Sequence, residues 1–458
     1  MIMEKTLIFS STNEVRIGKV LRFIIPTYLT SLFNTLYTIV DGVFVSSYVG
    51  TNALAAINIV YPIVNILTGI ALVFAAGGSA VAALFIGGRK KEEANAAFTV
   101  SIVFSLFGGF LVSIAVALNL NSVLRLLGAT SATMEDCRIY AFWWLIATPA
   151  VMIKELLTYF IRADGSPTYS FLTALAGGIC NIVLDYILIS QFRMGLQGAA
   201  IATVLGILLS CCMGAYYFCR KRRVLRFTLY GFNVHLGLRC MINGTSELVD
   251  QAAIAITTVA FNRTAMAFAG EDGIAAVSII MYLQFLVLGI YFGFSMGIAP
   301  ALGYACGDGR KDVCKVLEGY AWRFFAAAPP VLYIIAYAIA PMAVGFFAKS
   351  GSDVYRMAID GMRWYGLGFI FAGLNIFSAI RFMAYGKGHL SGIITFLRSF
   401  ALLILFLMIL PRFWELRGVW LSVPFAEGLT LIVSMGITVC DFRKNRAVYA
   451  TCCRNDLC

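Results

Sequence analysis

The sequence predicts an all-α polytopic membrane protein with twelve transmembrane helices arranged as two pseudo-symmetric six-helix lobes. Three observations carry that expectation. Of 458 residues, 60% are hydrophobic and 13% charged, against roughly 45–50% and about 25% in soluble domains. Apolar runs of the length a bilayer demands, about 20 residues, recur along the whole chain. The second half also repeats the first at a nearly constant spacing.

The apolar runs fall at about 21–46, 54–86, 94–118, 138–161, 168–190 and 198–219, then at about 240–267, 273–305, 315–340, 353–383, 390–410 and 418–440. Cations gather in alternate connections: Arg89, Lys90 and Lys91; Arg220, Lys221, Arg222, Arg223 and Arg226; Arg310 and Lys311; Arg443, Lys444 and Arg446. By the positive-inside rule these loops and both termini face the cytoplasm, as an even number of spans requires. A multi-pass protein of the inner cell membrane is expected. The formal charge of +12 reports the same loops, so no nucleic-acid partner is expected.

Twelve cysteines, many of them in or beside apolar runs as Cys180, Cys211, Cys240 and Cys440 are, do not form a disulfide framework. With two histidines only, His235 and His389, a structural zinc site is not expected either. Residues 1–19 do not read as a cleaved signal, because Glu4, Asn13, Glu14 and Arg16 interrupt any short apolar core.

Four matches define the repeat. Gly50 and Ala55-Ala56-Ile57 fall opposite Gly270 and Ala275-Ala276-Val277 at an offset of 220, and Gly198 falls opposite Gly418 at the same offset. Gly88-Arg89-Lys90 falls opposite Gly309-Arg310-Lys311, and Ala163-Asp164-Gly165 opposite Ala384-Tyr385-Gly386, both at 221. Six spans separate the copies, so the two share one orientation and a pseudo-axis along the membrane normal. The expected division is a lobe at 1–219, a basic cytoplasmic linker at 220–239, a second lobe at 240–440 and a cytoplasmic tail at 441–458.

An ionisable side chain inside a span costs a few kcal/mol and is a functional-site hypothesis by default. Span 1 carries Asn34, Tyr37 and Asp41 on one helical face, and span 5 carries Gly177, Asn181 and Asp185 on another. Span 6 adds Thr203, with Ala199 one turn earlier. Converging faces would assemble carboxylates, amides and a hydroxyl. The alternative is two acids near the outer helix ends, reached by water. Against it, Asp41 corresponds to Phe261 and Asp185 to Phe406, so the repeated scaffold does not need the acids.

Other polar positions carry less. Glu247 and Asp250 stand near the cytoplasmic end of span 7, where interfacial solvation is the expected reading and a second ion site the alternative. Lys154 and Glu155 are adjacent in span 4, about 100° apart on the helix, and are expected to pair with different neighbours or to line a wet cavity. Arg363, Arg381 and Arg398 are expected to snorkel to an interface, and Pro26 marks a potential bend in span 1. No P-loop, dinucleotide fingerprint or HExxH motif occurs. Neither a catalytic residue nor a cofactor is expected, and an ion gradient is left as the energy source.

Pro26, the stretch from Asn34 to Asp41, Tyr48-Val49-Gly50 and Ala53-Leu54-Ala55-Ala56 resemble the first-helix signature of the multidrug and toxic compound extrusion (MATE) family. Arg162-Ala163-Asp164-Gly165, Asn181 to Asp185, and Gly198 to Thr203 are similar to that family's spans 4 to 6. The resemblance covers essentially the whole chain, is more specific in its first half, and looks closest to the DinF-like and MepA-like branch. It implies a transporter, not an enzyme: an antiporter that exports lipophilic, often cationic drugs against H⁺ or Na⁺. It also implies ion-coupling positions at Asp41, Asn181, Asp185 and Thr203, joined by Ala199 if the ion is Na⁺, with Asn34 and Tyr37 lining the substrate cavity. Lys154-Glu155 departs from the family's pattern, and the span 7 acid of the Na⁺-coupled branch has no counterpart in clear register. A monomer is expected. A lipid-linked oligosaccharide flippase of the same superfamily is the alternative; it would favour a strongly cationic cavity and further spans. An intramembrane enzyme or receptor would need a catalytic constellation that two loop-proximal histidines do not supply.

Overall fold

The computed structural model describes residues 15–49, 51–131, 133–220, 223–228 and 232–452. It is helical throughout, and among the described residues there is no strand. In the first half the helices are α1 (Ile17–Tyr48), α2 (Thr51–Gly87), α3 (Lys91–Leu118), the short α4 (Leu120–Leu126), α5 (Met134–Ala163), α6 (Pro167–Asp185) and α7 (Gly195–Cys219). A short α8 (Val234–Asn243) follows, inside what the sequence reads as linker and span edge. Then come α9 (Thr245–Gly307), α10 (Lys311–Gly345), α11 (Asp353–Tyr365), α12 (Leu367–Ala384), α13 (Gly388–Phe396), α14 (Leu402–Ile409) and α15 (Pro411–Cys452).

Ten helices among the described residues are long and apolar enough to cross a membrane. One of them, α9, is broken at Gly270 (φ 60°, ψ −148°) into two spans, and α1 adds another, which gives the twelve expected. Only a residue without a Cβ enters that backbone region at low cost, which explains a glycine at the break. The helix starts follow elementary capping physics. Glu92 and Glu93 begin α3, and Glu135 and Asp136 begin α5, where carboxylates complement the helix dipole. Pro167 opens α6, where its missing N–H is no loss. α1 remains helical through Pro26, and the Thr30 hydroxyl donates to the Pro26 carbonyl at 2.8 Å.

The repeat is visible in the helix ends, with one correction to its register. α2 ends at Gly87 and α9 at Gly307; α3 begins at Lys91 and α10 at Lys311. The left-handed residue of each turn is Arg89 (φ 60°) and Gly309 (φ 73°). The structural offset there is therefore 220, and the shared Gly-Arg-Lys word is displaced by one residue. At the next matched turn Gly165 (φ 89°) and Gly386 (φ 71°) do stand 221 apart.

The chain forms two compact units. The described residues up to Ala255, with Gly289–Ala321 and Arg381–His389, make one; Ile256–Leu288, Trp322–Ile380 and the described residues from Leu390 onward make the other. In the first unit, glycines set the close approaches. A Cβ on Gly293 would come within 2.8 Å of the Tyr28 backbone, and one on Gly297 within 3.1 Å of that of Ile24, so these positions, one turn apart, let α9 lie directly on α1. Asp164, buried in the turn after α5, accepts from the Tyr217 hydroxyl at 2.7 Å and from the Leu225 and Val224 amides at 2.9 and 3.0 Å. That carboxylate ties the segment after α7 to the helix pair.

Two of the three span 10 and 11 arginines do not snorkel. Arg381, in the first unit, is 2% exposed and its Nε lies 2.5 Å from Glu318 Oε1, an oxygen that also accepts from the Tyr385 hydroxyl. Arg398, in the second unit, lies in a π-helical turn (Leu397–Ala401) and donates to Glu427 Oε1 from Nε at 3.1 Å and Nη2 at 2.8 Å. Asn375 Nδ2 donates to the other oxygen of Glu427 at 2.7 Å, and the Ser434 hydroxyl donates to Asn375 Oδ1 at 3.0 Å. Buried cations must be paired to be tolerated, which is why they turn inward to carboxylates on neighbouring helices. Arg363 stays exposed, with its guanidinium 5.0 Å from the centre of the Tyr337 ring.

Candidate functional site

The site of the first unit is built by α6 and α7, which touch backbone to backbone. A Cβ on Gly177 would lie 2.6 Å from the Gly206 carbonyl oxygen and would overlap the Ser210 hydroxyl, which donates to the Thr173 carbonyl at 2.9 Å. One turn further, where α6 changes from Gly177 to Asn181, side chains replace that contact. The Asn181 amide donates to the Thr203 hydroxyl at 3.4 Å, and that hydroxyl donates in turn to the Ala199 carbonyl at 3.0 Å. Asn181 is 3% exposed and Asp185, one further turn along, 0%. The carbonyl oxygen of the Asn181 side chain is buried and, among the described residues, accepts no hydrogen bond.

α6 changes character at Asp185. The next six residues, Tyr186–Gln191, form a π-helical turn, a wider winding that recurs at functional sites because it costs regular hydrogen bonding. α1 reaches the same helix through Phe33, whose ring fills the space where a Gly178 Cβ would lie. Tyr37 follows one turn later, its ring centroid 6.2 Å from that of Phe33. Asn34 and Tyr37 are both half-buried. Asp41 lies in α1 two turns beyond Phe33, as Asp185 lies two turns beyond Gly178; its side chain is outside the described residues. Thus Asn181, Thr203 and Ala199 come together on α6 and α7, with Asp185 buried one turn beyond Asn181 on α6, while Asn34 and Tyr37 lie on α1, which packs against α6.

The repeat positions contrast with this polar set. Phe261, opposite Asp41, is 1% exposed and stands 6.3 Å from the Tyr365 ring. Phe406, opposite Asp185, packs 5.7 Å from Phe425. Arg398 takes the place of Gly177 at the offset of 221, and its partner Glu427 is on the helix corresponding to α7. Where the first half brings bare backbones together, the second inserts an ion pair.

Lys154 and Glu155 do not find different neighbours: Lys154 Nζ lies 2.6 Å from Glu155 Oε1. A four-carbon stem is long enough to cross the helix surface. Glu318, Asn375 and Glu427 escaped the sequence reading, although an ionisable residue within a span is the signal that points to Glu318 and Glu427. Among the described residues no cluster of three or more His, Cys, Asp or Glu is placed to hold a metal ion.

If α6 and α7 meet as tightly as this, Gly177→Ala is expected to cost about 1–3 kcal/mol through overpacking. The thermal midpoint in detergent should fall, and adding Ser210→Ala should not restore it, because the Gly206 carbonyl remains in the way. Full recovery in the double variant would contradict the close approach.

Comparisons place this architecture among known proteins. Residues 26–187 match the MatE family model. The chain is 24% identical over 431 residues to the multidrug export protein MepA of Staphylococcus saprophyticus, covering 91% of this chain and 92% of that protein. It is 26% identical over 432 residues to MepA of Staphylococcus aureus, with the same coverage. Among solved structures, an outward-facing multidrug resistance MATE family transporter of the MOP superfamily superposes with a TM-score of 0.85 at 24% identity, over 91% of this chain and 93% of that one. A MATE in complex with MaL6 gives the same score and identity over 91% and 94%.

Proposed function

We propose that the chain is a transporter of the multidrug and toxic compound extrusion (MATE) family, on the MatE match over residues 26–187 and its similarity to MepA multidrug export proteins, and that it exports lipophilic, often cationic drugs and toxic compounds in exchange for H⁺ or Na⁺ by alternating access. The observation that carries the reading is the polar set on α6 and α7, in which Asn181 and Asp185 are buried. Asn181, Asp185 and Thr203 lie in otherwise apolar spans, and the repeat fills the place of Asp185 with Phe406. A charged group inside a membrane span that packing does not require is there for function.

Asp41 and Asp185 are the ion-coupling carboxylates, with Asn181 and Thr203 beside them and Asn34 and Tyr37 on the substrate side. Taking up a cation from outside cancels one negative charge of the carboxylate pair, lets α1 and the π-helical turn after Asp185 relax, and evicts the drug. A proton needs only the carboxylates. A Na⁺ ion, which prefers hard oxygen donors, would add the uncommitted Asn181 carbonyl oxygen, the Thr203 hydroxyl and the Ala199 carbonyl. The lobes move as 1–219 and 240–440, the loops that carry the cations and both termini face the cytoplasm, and the working unit is a monomer.

Cation and drug must each weaken the other's binding by the same factor. Drug affinity of the purified protein, measured by fluorescence while pH is lowered or Na⁺ is added, is expected to fall about 5- to 150-fold with one of the two ions. A drug affinity indifferent to both would contradict coupling at this site.

A further inference from the structure

The Lys154–Glu155 pair belongs to a group of charges that the ion site does not use. Within the first unit, Lys154 of α5 interacts electrostatically with Glu155 and Arg162 of the same helix, and Glu155 and Arg162 interact with Glu247 of α9, beside Asp250 one turn on. Tyr37 of α1 stands within Coulomb range of Lys154. The two cations differ in how firmly they are held. Arg162 is 7% exposed, its Nε donates to the Thr158 carbonyl at 3.3 Å, and its guanidinium lies 4.0 Å from the centre of the Tyr159 ring.

Lys154 has no such anchor. Its ammonium, on a flexible stem, is paired with the adjacent residue of its own helix, although neighbouring residues do not face each other on a helix. Both side chains keep access to their surroundings, at 20% and 17% exposure. The carboxylate of Glu155 is thus neutralised by a cation that can swing away without disturbing the backbone. Tyr37, within Coulomb range of Lys154, is on the face of α1 that we assign to substrate.

We propose that Lys154 sets the charge preference of the transporter: its ammonium is a tethered stand-in for the cationic group of a drug, and a bound lipophilic cation must displace it from Glu155. The inference rests on the drug-export reading above. Lys154 lowers affinity for cations by competing with them and leaves neutral compounds unaffected. Removing it frees Glu155 and changes the formal charge of the five-residue group from −1 to −2, which favours cations further.

The test is equilibrium binding of tetraphenylphosphonium, a lipophilic monocation, and of triphenylphosphine oxide, a neutral compound of related shape, to the full-length protein in detergent. In Lys154→Met the cation is expected to bind about fivefold to tenfold tighter, with the neutral probe unchanged. Lys154→Arg should restore the wild-type ratio, and Glu155→Gln should weaken the cation alone. Lys154→Gln serves as the second variant if Met at this position does not yield folded protein. Parallel shifts of both probes, as a merely structural role would give, or an unchanged cation-to-neutral ratio in Lys154→Met overturns the proposal. A wild type that binds neither probe overturns the drug-export reading and this inference with it.

Discussion

Asp185→Asn is expected to yield a protein that folds and inserts like the wild type but no longer lowers drug accumulation in cells. The amide matches the carboxylate in volume, and the position is fully buried, so packing changes little. What disappears is the charge that the proposed coupling cation neutralises. Without it, the mutual exclusion of cation and drug, worth about 5- to 150-fold in affinity, has no seat, and the drug is bound without being evicted. Drug susceptibility and membrane abundance measured side by side check this. An abundant Asp185→Asn protein with wild-type resistance would remove the residue from the coupling site. The same is expected of Asp41→Asn, whereas Thr203→Ser, which keeps a hydroxyl within reach of Asn181 and Ala199, should retain export.

The second large effect concerns stability. Arg398→Met is expected to destabilise the second unit by about 3–5 kcal/mol, because it leaves the Glu427 carboxylate buried without its cation. Asn375 donates to that carboxylate at 2.7 Å but brings no charge. Glu427→Leu should cost as much from the other side. The double variant is expected to recover most of the loss, since a buried ion pair replaced by apolar residues of similar volume is often neutral or better. Thermal midpoints of the four proteins in one detergent give the cycle. Additive losses in the double variant would mean that Arg398 and Glu427 stabilise the protein independently.

The fold was legible because a bilayer enforces one simple rule: spans are apolar and about 20 residues long. The repeat, the alternate basic loops and the breaks at glycine follow from residue types read along one strand of text. The candidate site was partly legible for the same reason: Asn181 and Asp185 share one face of α6 by helical spacing alone. Partnerships between helices were not. Arg381 pairs with Glu318 at a separation of 63 residues, and Arg398 with Glu427 at 29; the period of a single helix says nothing about which neighbour it meets. An arginine alone in a span would snorkel to an interface; a carboxylate on a neighbouring helix removes the need. The Lys154–Glu155 contact was missed for a different reason, since Cβ directions put the two apart and only the length of the lysine stem brings them together. The π-helical turns at Tyr186–Gln191 and Leu397–Ala401 have no compositional mark; they lie beside Asp185 and around Arg398, the polar residues peculiar to each half.

The proposed exchange of drug for a cation through Asp41 and Asp185 is tested most directly by efflux of a fluorescent lipophilic cation from proteoliposomes under an imposed pH gradient or an imposed Na⁺ gradient, with wild type, Asp41→Asn and Asp185→Asn compared. Efflux driven by one of the two gradients and lost in both variants is the predicted result and names the ion. Efflux that persists in both variants, or a wild type that responds to neither gradient, would contradict it.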